Sequence, residues 1–175
     1  LVDSIFWLAK SAPHLKHFNA LPVDSRSRFE ISKDELDAIL RHFNFIEVLS
    51  IDIDKEPLVD PSNYINPKLR ELSICVTDID LLYEEWLTGL TTAYPNVKKL
   101  KLTIRDSEIP VEIIPILNAF TKLESLTVNG FFGLTVTDLD CLHVHKNNLQ
   151  FLSVEGCQEL TDEVINKVRA RFRFI

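Results

Sequence analysis

The sequence predicts an α/β solenoid, in which short parallel strands stack into one curved sheet and helices cover its convex side. The first observation is a six-residue pattern, apolar-x-x-apolar-x-apolar, that occurs six times in 175 residues. Its copies begin 23 to 31 residues apart, at Leu15, Ile46, Leu69, Val97, Leu123 and Leu149. The second is that segments with helical spacing of apolar residues separate several copies. Repetition at this period indicates about six units that bury their apolar sides against their neighbours.

In the first half of the chain, two helices are predicted around the early hexads. The segment 2–12 has helical spacing and precedes the most degenerate hexad, 15–20. The pattern Ser32-x-x-Glu35 is a capping box, which predicts a helix over 34–43. Each hexad alternates at period 2 and therefore predicts a short strand. The connection after the second hexad shows little helical signal.

In the second half, each hexad is followed by a predicted helix. The predicted ranges are 80–94, 111–120, 137–143 and the residues from 161 onwards. In the first of these, Leu82, Trp86 and Leu90 recur four residues apart, so Trp86 is predicted to lie in the core. Pro115 is expected to shorten the second. Residues 171–175 alternate charged and aromatic side chains, which favours a final strand, with the end of a fraying helix as the alternative.

Composition indicates a single globular domain over 1–175, since 46% of the residues are apolar and no linker interrupts the chain. The net charge of −7 weighs against a nucleic-acid or anionic membrane partner. The most apolar stretch, 109–120, is too short to span a bilayer. Three scattered cysteines make no disulfide framework and predict a cytoplasmic or nuclear location. The chain begins at Leu1, and we expect it to be a fragment of a longer protein.

The residues between the apolar hexad positions are predicted to face outward on the concave side of the sheet, where another protein would bind. The predicted contact residues are Asp52, Glu71, Ser73, Lys99, Lys101, Ser125, Thr127, Phe151, Ser153 and Glu155. Asp52 and Glu71 form an acidic patch next to a basic one, Lys99 and Lys101. Phe151 is the aromatic anchor, since exposed aromatics often dominate partner binding. The alternatives are that the lysines pair with Glu71 and that the C-terminal segment covers Phe151.

Catalysis and cofactor binding are not predicted. The chain has only 4 Gly, no Gly-x-Ser-x-Gly and no Gly-rich phosphate loop. Cys141, His143 and His145 have zinc-ligand chemistry. Period-2 spacing at the end of a predicted helix does not bring three ligands together, so we expect a surface His pair instead. Cys75 is a possible thiol nucleophile on the concave face, but no His is near it in the repeat register.

The final unit resembles the cysteine-containing subtype of leucine-rich repeat, through Leu149-x-x-Leu152-x-Val154-x-x-Cys157-x-x-Leu160-Thr161-Asp162-x-x-Ile165. In that subtype a cysteine follows the strand and faces buried backbone groups inside the turn, and Thr-Asp opens the helix. The preceding unit is a weaker match, with Phe131 at the cysteine position. The earlier units match in the hexad alone.

This subtype is best known from F-box leucine-rich-repeat proteins, the substrate-recruiting subunits of cullin–RING ubiquitin ligases. The resemblance implies that the repeats hold a substrate protein while a separate helical F-box binds the ligase core. These residues contain no F-box, so the resemblance implies that such a module lies upstream of Leu1. The alternative is a structural leucine-rich-repeat subunit of another assembly, with no role in ubiquitin transfer.

Overall fold

One parallel sheet of six strands, arranged in the order in which they occur along the chain, organises the fold. The computed structural model describes residues 2–21, 31–53, 60–76, 84–105, 114, 119–138, 148–157, 160–161, 163 and 166. Its strands are β1 (His17–Ala20), β2 (Val48–Ile53), β3 (Glu71–Val76), β4 (Lys99–Ile104), β5 (Ser125–Asn129) and β6 (Phe151–Glu155). Each strand begins at the third residue of a hexad, so the α/β class and the parallel sheet are confirmed.

The described helices lie where the sequence predicts them. They are α1 (Val2–Ser11), α2 (Lys33–His42) and α3 (Glu84–Ala93), with a short 3₁₀ helix at Pro61–Asn63. The capping box opens α2, because the Ser32 side chain accepts from the Glu35 amide and the Glu35 carboxylate accepts from the Ser32 amide at 2.9 Å. The helices predicted over 111–120, over 137–143 and from 161 onwards lie largely outside the described residues, as does the segment 171–175.

The central apolar residue of each hexad occupies the same rung of the sheet. Phe18, Leu49, Leu72, Leu100, Leu126 and Leu152 are paired in register from strand to strand. The five leucines are between 0 and 3% exposed. Side chains from α2 and α3 belong to the same core, among them Ile39, Trp86 and Leu90. The helices therefore cover the leucine-bearing face of the sheet, and the core position predicted for Trp86 is confirmed.

Backbone hydrogen bonds recur from one hexad to the next. The amide of the first hexad residue donates to the carbonyl three residues earlier in the pairs Leu15–Ala12, Ile46–Phe43, Leu69–Asn66, Val97–Tyr94 and Leu123–Phe120. The carbonyl of the second hexad residue accepts from two amides of the next hexad at Lys16, Glu47, Arg70, Lys98 and Glu124. The chain thus enters the first five strands, β1 to β5, through the same turn.

The exits from β5 and β6 also share a conformation. Gly130 and Gly156 follow these strands with φ of 75° and 61°, a region that L side chains rarely adopt. A Cβ at Gly130 would lie 2.2 Å from the carbonyl oxygen of Ile104, so a side chain does not fit there. The two glycines occupy equivalent positions in consecutive units.

The N-terminal end of the sheet is less fully covered than its centre. Phe18 and Ala20 in β1 are only partly buried, whereas their counterparts in the central strands are buried. On α1, which packs against α2, Trp7 is 69% exposed. Within the described ranges, no helix combines the length and the apolar character needed to cross a membrane.

Candidate protein-interaction face

The strand residues that alternate with the leucine rungs form the opposite face of the sheet, which we call the outer face. They make three rows in register across the strands. The first row is His17, Val48, Glu71, Lys99, Ser125 and Phe151. The second row is Asn19, Ser50, Ser73, Lys101, Thr127 and Ser153. The third row is Asp52, Cys75, Thr103, Asn129 and Glu155.

All ten predicted contact residues lie on the outer face. Nine of them, all except Asp52, are exposed or half-buried. Their alternation with buried leucines follows from the pleat of each strand, which directs successive side chains to opposite faces. The geometry therefore gathers these residues on one surface, and their role in binding stays a prediction.

Asp52 corrects the predicted acidic patch. Its side chain is 0% exposed, and its Oδ2 accepts a hydrogen bond from Arg105 Nη1 at 2.9 Å. Arg105 lies one residue beyond β4 and reaches across β3 to β2. Asp52 Oδ1 is buried without a hydrogen-bond partner among the described residues. Asp52 is therefore part of an interstrand ion pair and is not accessible to a partner protein.

Arg105 is a residue of this face that the sequence interpretation missed. Extending the outward positions of β4 by one more step, from Thr103, places Arg105 on the same side of the sheet as Asp52. The period-2 alternation could have identified Arg105, but the hexad pattern ends at Leu102 and does not reach that residue.

Glu71 and Lys99 are directly paired in the first row. Lys99 Nζ lies 2.6 Å from Glu71 Oε1, and both side chains are substantially exposed. This is the cross-strand salt bridge that the sequence offered as an alternative to partner binding. An exposed pair of this kind contributes only about 0–1 kcal/mol to stability. Lys101, one step further along β4, forms no ion pair with any residue in the described ranges.

A line of charged residues borders the outer face at the entry to the strands, and it too was missed. The second position is charged in five of the six hexads, as Lys16, Glu47, Arg70, Lys98 and Glu124, and is Gln150 in the sixth. Lys16 and Glu47 are 2.7 Å apart, and Lys98 and Glu124 are 2.6 Å apart. The hydrogen bond from the Lys16 ammonium lowers the pKa of Glu47. The recurrence of charge at one hexad position was the signal for these pairs.

Cys75 lies in the third row between Asp52 and Thr103 and is only 4% exposed. Burial, with a smaller contribution from the nearby Asp52 carboxylate, raises the pKa of its thiol to about 12. A thiol with such a pKa is almost entirely protonated at neutral pH, and the thiolate is the nucleophilic form. The arrangement does not equip Cys75 for nucleophilic catalysis.

We expect Cys75 to react slowly with a maleimide in the folded protein, because its thiol is buried and its pKa is raised. The measurement is time-resolved labelling near neutral pH, with the modified cysteine identified by peptide mass spectrometry. The control is the same chain in concentrated urea, where labelling should be rapid. Equal labelling rates for Cys75 in the two conditions would contradict the buried position.

Phe151 is half-buried at the end of the first row, beside Ser125. The C-terminal segment that was considered as its cover lies outside the described residues. The candidate zinc ligands Cys141, His143 and His145 also lie outside them. In the part of the chain that is described, no three His, Cys, Asp or Glu side chains are grouped as metal ligands would be.

Comparisons with known proteins add no family assignment. No protein-family model matches the chain. A search of curated proteins likewise gives no significant match.

Proposed function

We propose that this chain is a leucine-rich-repeat domain that binds another protein on the outer face of its sheet, without catalysis. The observation that carries the proposal is the set of three registered rows of mostly polar side chains, displayed opposite a continuous leucine core. Five spacings of about 4.8 Å between six strands make this face about 24 Å wide. A surface of this width suits a segment of another protein.

The repeated backbone geometry supports the leucine-rich-repeat assignment. Five hexads share the same entry turn, and Gly130 and Gly156 share the same exit conformation. The environment of Cys157 agrees with the cysteine-containing subtype, because its buried thiol lies 3.4 Å from the carbonyl oxygen of Glu155. Phe131 is buried at the equivalent place in the preceding unit.

A sharper form of the proposal makes the chain the substrate-recognition repeats of an F-box-like adaptor of a cullin–RING ubiquitin ligase, in the cytoplasm or nucleus. Its support is the resemblance of the unit that begins at Leu149. An upstream module would bind the ligase core while the outer face holds the substrate. Affinity capture with the full-length protein should recover a cullin or a cullin adaptor, and recovery of neither would contradict this form.

Charge reversal on the outer face tests the general proposal. We expect Lys99→Glu and Lys101→Glu, combined with Phe151→Ala, to abolish capture of the protein's partners in quantitative affinity purification. The matched control combines Lys10→Glu and Lys33→Glu with Ile65→Ala, because these residues are exposed and lie away from the sheet. The control variant should retain the partners.

The second candidate function is structural: the chain would be a subunit that contacts the rest of an assembly through the N-terminal end of its sheet. The exposed Trp7 and Phe6 on α1 favour it, since large exposed apolar side chains often mark contact sites. In that case, the outer-face variant would keep every partner, and Trp7→Ala would lose them. That pair of results would overturn binding on the outer face.

A further inference from the structure

The centre of the outer face carries hydrogen-bond donors that the fold does not use. Lys101 is flanked in register by Ser73 on β3 and Thr127 on β5. Lys101 is exposed, and the two hydroxyl residues are half-buried. None of the three side chains makes a hydrogen bond or ion pair with another described residue. Three neighbouring strands thus present an ammonium between two hydroxyl groups.

Within the three rows of the outer face, Lys101 is the lysine or arginine that has no ion pair with a described residue. On the outer face, Lys99 is neutralised by Glu71 and Arg105 by the buried Asp52. The remaining described carboxylate of this face, Glu155, lies on β6, where it accepts a hydrogen bond from Ser153. Within these rows, the unpaired lysine therefore lies at the middle of the second row, although the whole chain has a net charge of −7.

We propose that Lys101, Ser73 and Thr127 form the anchor for a carboxylate side chain, Asp or Glu, in an extended segment of the partner protein. This inference rests on the proposed function and names the chemistry of its partner. A carboxylate has two oxygens that accept several hydrogen bonds, so it can receive the Lys101 ammonium together with the hydroxyl of one flanking strand, Ser73 or Thr127. Adjacent strands lie about 4.8 Å apart, which places the hydroxyls on either side of the flexible lysine stem.

A carboxylate fits this anchor better than a phosphate group. Phosphate carries up to two negative charges, and sites for it usually combine several cations or a bidentate arginine. Among the described residues of the three rows one lysine is unpaired, and Arg105 is engaged with Asp52. A single negative charge matches a single available positive charge.

The test is an NMR titration of the isotopically labelled chain with the capped tripeptide acetyl-Ala-Asp-Ala-amide. We expect chemical-shift changes centred on the amides of Ser73, Lys101 and Thr127. Lys101→Gln should weaken this response about tenfold or more, since a hydrogen bond to a charged group is worth about that factor. The matched variant Lys99→Gln should keep it, because Lys99 already pairs with Glu71.

Three comparisons within the titration would each overturn the carboxylate anchor. They are an equal response to acetyl-Ala-Asn-Ala-amide, an unchanged response in Lys101→Gln, and a stronger response to the phosphoserine tripeptide. The last would identify a phosphate site instead. If the parent chain shows no response to the aspartate tripeptide but still captures its partners through the outer face, this inference alone is overturned. Partner capture that survives the outer-face triple variant overturns the proposed function itself.

Discussion

Replacing Leu126 by Ala is expected to lower the free energy of unfolding by about 2–5 kcal/mol. Leu126 is 0% exposed and lies in a rung between Leu100 and Leu152. Truncation removes buried methyl groups and leaves a cavity, which the leucines of the two neighbouring strands keep from collapsing. Leu152→Ala should show a loss of the same size. Chemical denaturation followed by circular dichroism measures both changes.

The control for this prediction is Lys101→Ala, which changes the same sheet on its other face. Lys101 is exposed and pairs with no described residue, so its replacement should cost less than about 0.5 kcal/mol. If the leucine and lysine variants lost similar stability, the assignment of inner and outer faces would be wrong.

Replacing Arg105 by Ala is expected to cost about 3–5 kcal/mol, because it leaves the fully buried Asp52 carboxylate without its counterion. Asp52 Oδ1 lacks a hydrogen-bond partner within the described residues, so Arg105 is the cation that compensates this carboxylate among them. The ion pair also joins β2 to β4 across β3. Denaturation of the variant and the parent chain under identical conditions gives the difference.

Lys99→Ala is the matched control, since Lys99 also forms a cross-strand ion pair, but an exposed one. Its loss should cost no more than about 1 kcal/mol. Arg105→Lys keeps the positive charge and should recover part of the stability. A loss for Arg105→Ala as small as that for Lys99→Ala would show that the Asp52 carboxylate does not depend on Arg105 for its stabilisation.

The sheet could be predicted from sequence because the information for it is local and repeated. Each hexad alternates at period 2, and each described strand begins at its third residue, even in the degenerate copy that contains Phe18. The capping box at Ser32 likewise predicted α2, since both of its hydrogen bonds join residues three positions apart. Short-range patterns were sufficient for these elements.

The accessibility of the outer face could be predicted only in part. Alternation assigns a side chain to a face, and it did so correctly for Asp52. It does not show that Arg105, 53 residues away, covers Asp52, since that contact depends on the stacking of three strands. The choice that the sequence left open for Lys99 was resolved in the same way, by the position of Glu71 on the neighbouring strand.

The in-register ladder of parallel strands is the central claim, and interstrand backbone NOEs in the labelled protein test it most directly. The account predicts NOEs that join Leu100 to the Leu72 strand on one side and to the Leu126 strand on the other, with Leu152 next in line. NOEs that show an antiparallel pair, or a shift of one residue between any two of these strands, would contradict it.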